Sequence, residues 1–282
     1  MGMNKALIGK EYPMVEFDVN PKDFSYYAVG SNDTTNPYYW DESRPGGIIA
    51  PPMFGVVYGG ICIPGVVFDK ELGMNVMMMV HGEQDMRYYK PVKAGMKIKS
   101  RAKIVDIIDK GSGELCQFTV TSWDQAGEKI AEALTGFFVR VGGSGKKGEK
   151  EPEPGPGATI FEDKKKVLAK QTYIYAWASG DHNFIHVNPE MAVKMAKLPG
   201  IILQGLCSMA FCQNTVVDKL CKDRNPELLK RLAVRFAKPV FPEDELTITG
   251  WEIQGGSPRK IGFEAKRQDG TVVIKNGLAE VA

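Results

Sequence analysis

Apolar and polar positions alternate, with interruptions, along two separate stretches of the chain, and each stretch follows material of helical or irregular pattern. In the first half, KIKSRAKIVDII (97–108), ELCQFTVTSW (114–123) and KIAEALTGFFVRV (129–141) are rich in β-branched and aromatic residues, with DQAG as a hairpin turn between the last two. In the second half, LLKRLAVRFAKPV, DELTITGWEIQ, RKIGFEAKRQ and TVVIKNGLAEVA repeat this layout, with turns at FPED, GGSP and QDG. Two antiparallel sheets are expected, one per half. Ahead of the second, SMAFCQNTVVDKL (208–220) sets Met209, Phe211, Cys212, Val216 and Leu220 near helical spacing, which predicts a helix buried on much of its surface. Such a helix before a curled sheet would be wrapped by it, giving an α+β class.

Between the halves, VGGSGKKGEKEPEPGPG (141–157) combines glycine, charge and proline without apolar periodicity, the composition of a solvated connector. The expected domains are therefore 1–145 and 158–282, joined by a linker over 146–157. The fragment GSGKK resembles a phosphate-binding loop, but Arg140 stands where that motif needs its first glycine and Lys147 where it needs Ser or Thr.

The halves also look like diverged copies. DVNPKDFSYYAVGSNDTTNPYYWDE (18–42) precedes the first sheet much as KQTYIYAWASGDHNFIHVNPE (170–190) precedes the second. Asn36-Pro37 then matches Asn183-Phe184, and Tyr39 falls at the position of His186. The first copy lacks the histidine, so chemistry is expected in the second.

Composition narrows the partners. Among 282 residues, 36 Lys and Arg balance 34 Asp and Glu, and the basic residues are scattered, which argues against a nucleic-acid surface. The N-terminus lacks a secretory apolar core and no window approaches a membrane span, so a soluble cytoplasmic protein is expected. The last residues, AEVA, do not match the peroxisomal tripeptide. Five cysteines without a C-x-x-C pair argue against both a disulfide framework and a zinc site.

The segment SGDHNFIH (179–186) holds two of the three histidines. QTYIYAWAS reads as a helix closed by Gly180, and Asn188-Pro189 as the cap and first position of the next helix. Asp181 and His186 can converge across the intervening turn on one small volume, where general acid/base work on water is possible. Metal binding fits less well: His182 and His186 have a useful spacing only on a continuous helix, which the residues between them do not favour, and no Glu follows the first His. Taken singly, Asp181 and Asn183 are explained equally by an Asx turn, and His186 by a core role. Downstream, PGIILQGLCSMAF (199–211) brings Gly205 to a helix start, where an uncovered N–H and the helix dipole favour developing negative charge. Close packing explains Gly205 as well.

YAWASGDHNFIHVNPEMA, PGIILQGLCSMAF and RLAVRFAKPVFPEDELTITGW together resemble the MaoC-like (R)-specific enoyl-CoA hydratases, whose fold is the hot dog. The family pattern runs S-G-D-x-N-P-[IL]-H, P-I-x-H-G-L and R-F-x-x-P-V-[FY]-P-G. The first half resembles, more weakly, the N-terminal hot dog of two-domain members through GGIIAPPMFGVVYGG (46–60) and MVHGEQDMRYYKPVKAGM (79–96). Its His81 reads as structural. Phe184, Gln204 and Glu243 depart from the family's proline, histidine and glycine.

The resemblance implies a double hot-dog fold, with two antiparallel sheets each wrapping a helix. It implies reversible syn hydration of trans-2-enoyl-CoA to (3R)-3-hydroxyacyl-CoA, with no metal and no cofactor besides the CoA thioester substrate. Asp181 and His186 would activate water and handle the α-proton, Asn183 orient the site, and the Gly205 amide meet the thioester oxygen. Ser179, Gly180 and Gln204 would line the substrate, with Arg235 and Lys238 as candidate cations for the CoA phosphates. The degenerate first copy would take the acyl tail, along a channel suggested by Gly55, Gly59 and Gly60. A hot-dog thioesterase and a non-catalytic acyl-CoA binding module remain alternatives, and exposed sheet edges suggest a homodimer.

Overall fold

The computed structural model describes residues 2–145 and 157–282. The expected linker, 146–157, lies outside the described residues except for Gly157. The first half contains β1 (Val15–Asp18), α1 (Pro21–Gly30), α2 (Pro37–Trp40), α3 (Gly55–Gly60), α4 (Ile63–Val67), β2 (Met79–Tyr88), β3 (Lys97–Asp109), β4 (Glu114–Trp123) and β5 (Lys129–Val139). The second contains β6 (Thr159–Lys166), α5 (Gln171–Ser179), α6 (Phe184–Val187), α7 (Pro189–Lys194), α8 (Gly205–Leu220), β7 (Leu229–Phe236), β8 (Glu245–Gln254), β9 (Arg259–Arg267) and β10 (Val272–Val281).

The two expected sheets are hydrogen-bonded into one. Ten antiparallel strands run in the order β1-β3-β4-β5-β2-β7-β10-β9-β8-β6, so each half has the same internal order and the halves join through β2 and β7. Arg87-Tyr88-Tyr89-Lys90-Pro91-Val92 corresponds in sequence to Arg235-Phe236-Ala237-Lys238-Pro239-Val240. In the seam, Asp85 pairs with Ala233, its own counterpart, and Arg87 with Arg231. A local twofold relation between the copies therefore passes through the middle of the joint. Arg231 holds Asp85 there with two bonds of 2.9 and 2.6 Å, a bidentate geometry suited to guanidinium and carboxylate.

The helices differ more than the strands. On α8 every residue from Cys207 to Val217 is buried, and the polar ones are satisfied across the molecule: Gln213 Oε1 accepts from the Met53 N–H, and Asn214 Nδ2 donates to the Ser31 carbonyl. The first half has no such helix. Its corresponding material is broken into the six-residue α3 and five-residue α4, which corrects the expectation of one wrapped helix per half. Three of the six residues of α3 are glycine, which is part of the reason, since glycine weakens a helix.

One hydrophobic core spans both copies, with Phe24, Phe54 and Met86 from the first and Phe211, Ile248 and Phe263 from the second, and another, around Val66, Ile104 and Phe118, lies within the first half. The paired helices α1 and α5 approach closely where a Cβ on Gly30 would lie 2.4 Å from that of Ala178, and the hydroxyls of Tyr27 and Tyr175 bond at 3.1 Å. Glu243 has φ 69° where its counterpart Gly95 has φ 77°. The family's glycine preference at this turn thus reflects a left-handed backbone, which Glu243 adopts at some cost. All five cysteines are buried and free, and no helix of the described residues is long and apolar enough to cross a membrane.

Candidate active site

The site begins where α5 stops. Gly180 takes φ 77° and its N–H closes on the Ala176 carbonyl, a left-handed termination that glycine makes without steric cost. Ser179 Oγ donates to the Tyr175 carbonyl and accepts from the Asp181 N–H. The Asn183 N–H donates to Asp181 Oδ1, and Asn183 Oδ1 accepts from the Ile185 N–H to cap the single turn α6. The Asx turn and the converging site are thus one arrangement. The turn after Asn183 is helical, contrary to the irregular segment expected, because Asn183 supplies its cap. His182 lies outside it and is exposed.

His186, 8 % exposed, is fixed from behind. Its Nδ1 lies 2.7 Å from the Ile202 carbonyl, while the Ile202 N–H donates to the Ile185 carbonyl. An N–H at Nδ1 satisfies that carbonyl and leaves the Nε2 lone pair for chemistry. Nε2 lies 3.8 Å from Asp181 Oδ2, too far for a direct hydrogen bond but suited to a shared small molecule. Burial lowers the His186 pKa, opposed by the Asp181 charge and the Ile202 carbonyl, so the ring is a neutral base at neutral pH.

Gly205 is the first residue of α8, with Gln204 as its cap position. No acceptor for the Gly205 N–H occurs among the described residues, as helix starts require. Close packing is present too: a Cβ here would lie 3.1 Å from the Phe236 ring. Gln204 is fully buried, and its Nε2 donates to the Thr172 and Asp181 carbonyls at 3.0 and 3.3 Å. It braces the loop that carries Asp181.

The remaining sequence candidates are distributed unevenly. The Ser179 hydroxyl and Gly180 are occupied in shaping the turn. Arg235 alternates with Phe236 along β7 and so lies on the opposite face of the sheet, where Glu83 approaches its Nε at 3.7 Å; the structure does not bring it to Asp181 and His186. Lys238 is exposed, two residues beyond Phe236, with no ion-pair partner among the described residues. Among those residues no cluster of three or more His, Cys, Asp or Glu side chains is arranged to hold a metal.

Sequence reasoning missed how near His81 comes. Its ring packs edge-on against Phe236 and Phe137 with centroids 5.0 Å away in each case, and bonds Gln84 Oε1 at 3.0 Å. Burial drives its pKa down to about 4, with Asp181 among the charges that oppose the shift. Only the β2–β7 joint brings this first-half residue to the second-half site.

The matching place in the first copy keeps the turn, with Ser31, Asp33 and Asn36 repeating the bonds of Ser179, Asp181 and Asn183, but it has lost the imidazole and the free amide. Asn36 caps α2 as Asn183 caps α6, and Tyr39 occupies the position of His186 within the turn. The Ala50 N–H bonds the Val92 carbonyl just as the Leu203 N–H bonds that of Val240. Two residues on, Pro52 therefore stands for Gly205. A proline has no N–H to offer an oxyanion.

A cavity lies next to the site. It is lined by Gly55, Gly59, Gly60, Met86, Ala131 and Thr135 of the first half and by Leu206, the residue after Gly205, from the second.

A MaoC like domain matches residues 153–275, and a FAS1-like dehydratase domain region matches residues 6–133. The chain is 29% identical to a probable enoyl-CoA hydratase 2 of Dictyostelium discoideum, over 98% of this chain and 95% of that one. It is 28% identical to 3-hydroxyacyl-thioester dehydratase Y of Mycobacterium tuberculosis, over 99% of each. The crystal structure of a MaoC-like dehydratase from Phytophthora capsici superposes with a TM-score of 0.84 at 25% identity, covering 100% of this chain and 98% of that one. With Asp181, His186 and Gly205 assembled in its second copy, and the histidine and the glycine replaced by Tyr39 and Pro52 in its first, the chain belongs to the MaoC-like dehydratase family, in its double hot-dog form.

Proposed function

We propose that the protein catalyses reversible syn hydration of trans-2-enoyl-CoA to (3R)-3-hydroxyacyl-CoA. The observation that carries this is the 3.8 Å approach of Asp181 Oδ2 and the free Nε2 of His186, beside a helix start whose Gly205 N–H has no partner among the described residues. Water held between the two side chains gives a proton to Nε2 as its oxygen attacks the β-carbon. The double-bond electrons move toward the thioester oxygen, where the Gly205 N–H and the α8 dipole stabilise the enolate. The imidazolium then returns a proton to the α-carbon from the same face, which gives the syn outcome. Asn183 Nδ2, without an acceptor among the described residues, is free to orient the ligand.

This chemistry needs no cofactor, because the thioester supplies the electron withdrawal. The first half, 1–145, is proposed to hold the acyl tail in the cavity beside Leu206, and the second, 158–282, to catalyse. Lys238 is the stronger candidate for a CoA phosphate, Arg235 being occupied by Glu83. Support for the expected homodimer through sheet edges is weak: β1 and β6 are the edges, and β6 carries Lys164, Lys165 and Lys166, a composition that discourages strand addition.

Crotonyl-CoA tests the proposal. Loss of enoyl absorbance with formation of the (R)-3-hydroxy product is expected. Release of free CoA thiol would replace it with the thioesterase reading, and tight binding without turnover with that of a retired binding module.

A further inference from the structure

A second, larger cavity lies at the degenerate site, walled by Pro51, Pro52, Tyr88 and Leu229, and it shares Gly55 and Tyr58 with the cavity that Leu206 lines. The separation between the two is thin. A Cβ on Gly55 would lie 2.8 Å from Met86 Cε and 3.2 Å from Tyr58 Oη, so these two groups close over the glycine. Tyr58 is 3% exposed, yet its hydroxyl makes no hydrogen bond within the described residues. Met86 offers an unbranched, adaptable methyl end. The partition thus consists of a buried phenol with nothing to hold its oxygen and a thioether tip.

We propose that the cavity at the degenerate site is a second acyl chamber, and that Tyr58, with Met86, is the neck that sets how long a tail the enzyme accepts. This presupposes the hydratase activity proposed above. A tail that fills the first cavity reaches Tyr58 and enters the second chamber only by displacing its ring. The occupant is hydrocarbon and not a second CoA headgroup. Pro52 removes the N–H that would meet a thioester oxygen, and Lys90, the counterpart of Lys238, is neutralised by Asp124 and Glu128. At the rim, Lys230 donates to the Glu227 carbonyl, leaving a mouth of mixed charge.

The test is kcat/KM on short-, medium- and very-long-chain trans-2-enoyl-CoA for the wild type, Tyr58→Ala and Ala50→Leu. Ala50 lines only the second chamber. Tyr58→Ala is expected to raise the very-long to medium ratio by about tenfold, and Ala50→Leu to lower it by about tenfold, the scale of roughly two methylene contacts. General destabilisation cannot move the ratio in opposite directions. Unchanged ratios in both variants, with crotonyl-CoA still hydrated, overturn the second chamber and leave the hydratase standing. No turnover by the wild type at any length overturns both.

Discussion

Asp181 and His186 face each other at 3.8 Å because two separate devices aim them: the Asx turn through Asn183 holds the carboxylate, and the Ile202 carbonyl holds the imidazole from its far side. Neither side chain bonds the other directly, so each retains capacity for a water between them. Asp181→Asn and His186→Ala are each expected to lower kcat for crotonyl-CoA by about 10²–10⁴-fold with little change in thermal midpoint. Near-wild-type rates in both would remove the pair from the mechanism.

The contrast between Gly205 and Pro52 supplies a test of the amide. Proline is well accommodated at a first helical position, and the first copy already carries it there. Gly205→Pro removes the N–H, whereas Gly205→Ala keeps it while adding a similar Cβ against Phe236. Gly205→Pro is expected to lose about 10²-fold more kcat than Gly205→Ala; equal losses would assign Gly205 to packing alone.

Gln204 links Thr172 to the Asp181 carbonyl from within the core. Gln204→Leu leaves two buried carbonyls short of a donor, and a loss of about 1–3 kcal/mol of stability is expected from denaturant unfolding. Its kcat should fall while KM changes less, since the loop carrying Asp181 loses its brace. Full retention of both would make the amide dispensable.

Gly59 lies on the wall of the tail cavity, with Val120 Cγ1 3.4 Å from where a Cβ would stand. A methyl fits there, but the longer side chain of Gly59→Leu projects into the cavity. The ratio of long-chain to short-chain kcat/KM should drop by about tenfold or more, and equal loss at all lengths would disprove a tail at this wall.

Two histidines make the protein acid-sensitive in a defined direction. Burial lowers the pKa of His81 to about 4 and lowers that of His186 as well, so the unfolded chain binds more protons than the native one. Their contribution to stability is complete above the ordinary imidazole value of about 6.5 and is lost as pH falls toward about 4. Denaturation midpoints should decline across that window, and His81→Phe should flatten part of the decline. The acid limb of kcat should likewise lie below the ordinary imidazole value, because His186 must be neutral to accept a proton.

The sequence by itself determined what is local. Alternation and turn chemistry set seven of the ten strands within a few residues of their expected bounds, missing the short β1, the joining strand β2 and the charged edge β6. Gly180, Asn183, Asn188 and Pro189 dictated the caps, and because Asp181 and His186 share one capped turn their convergence was legible from spacing and residue type. The matched positions of Asn36 with Asn183 and Tyr39 with His186 were legible for the same reason. Tertiary structure alone decided that the half-sheets join through β2 and β7, that His81 packs against Phe236 of the second half, that Arg235 turns to Glu83, and that Pro52 stands for Gly205. Each of these depends on pairing between residues far apart in the chain, where free energy is gained only after distant segments have packed together; periodicity and capping act within a turn or two and carry no record of it.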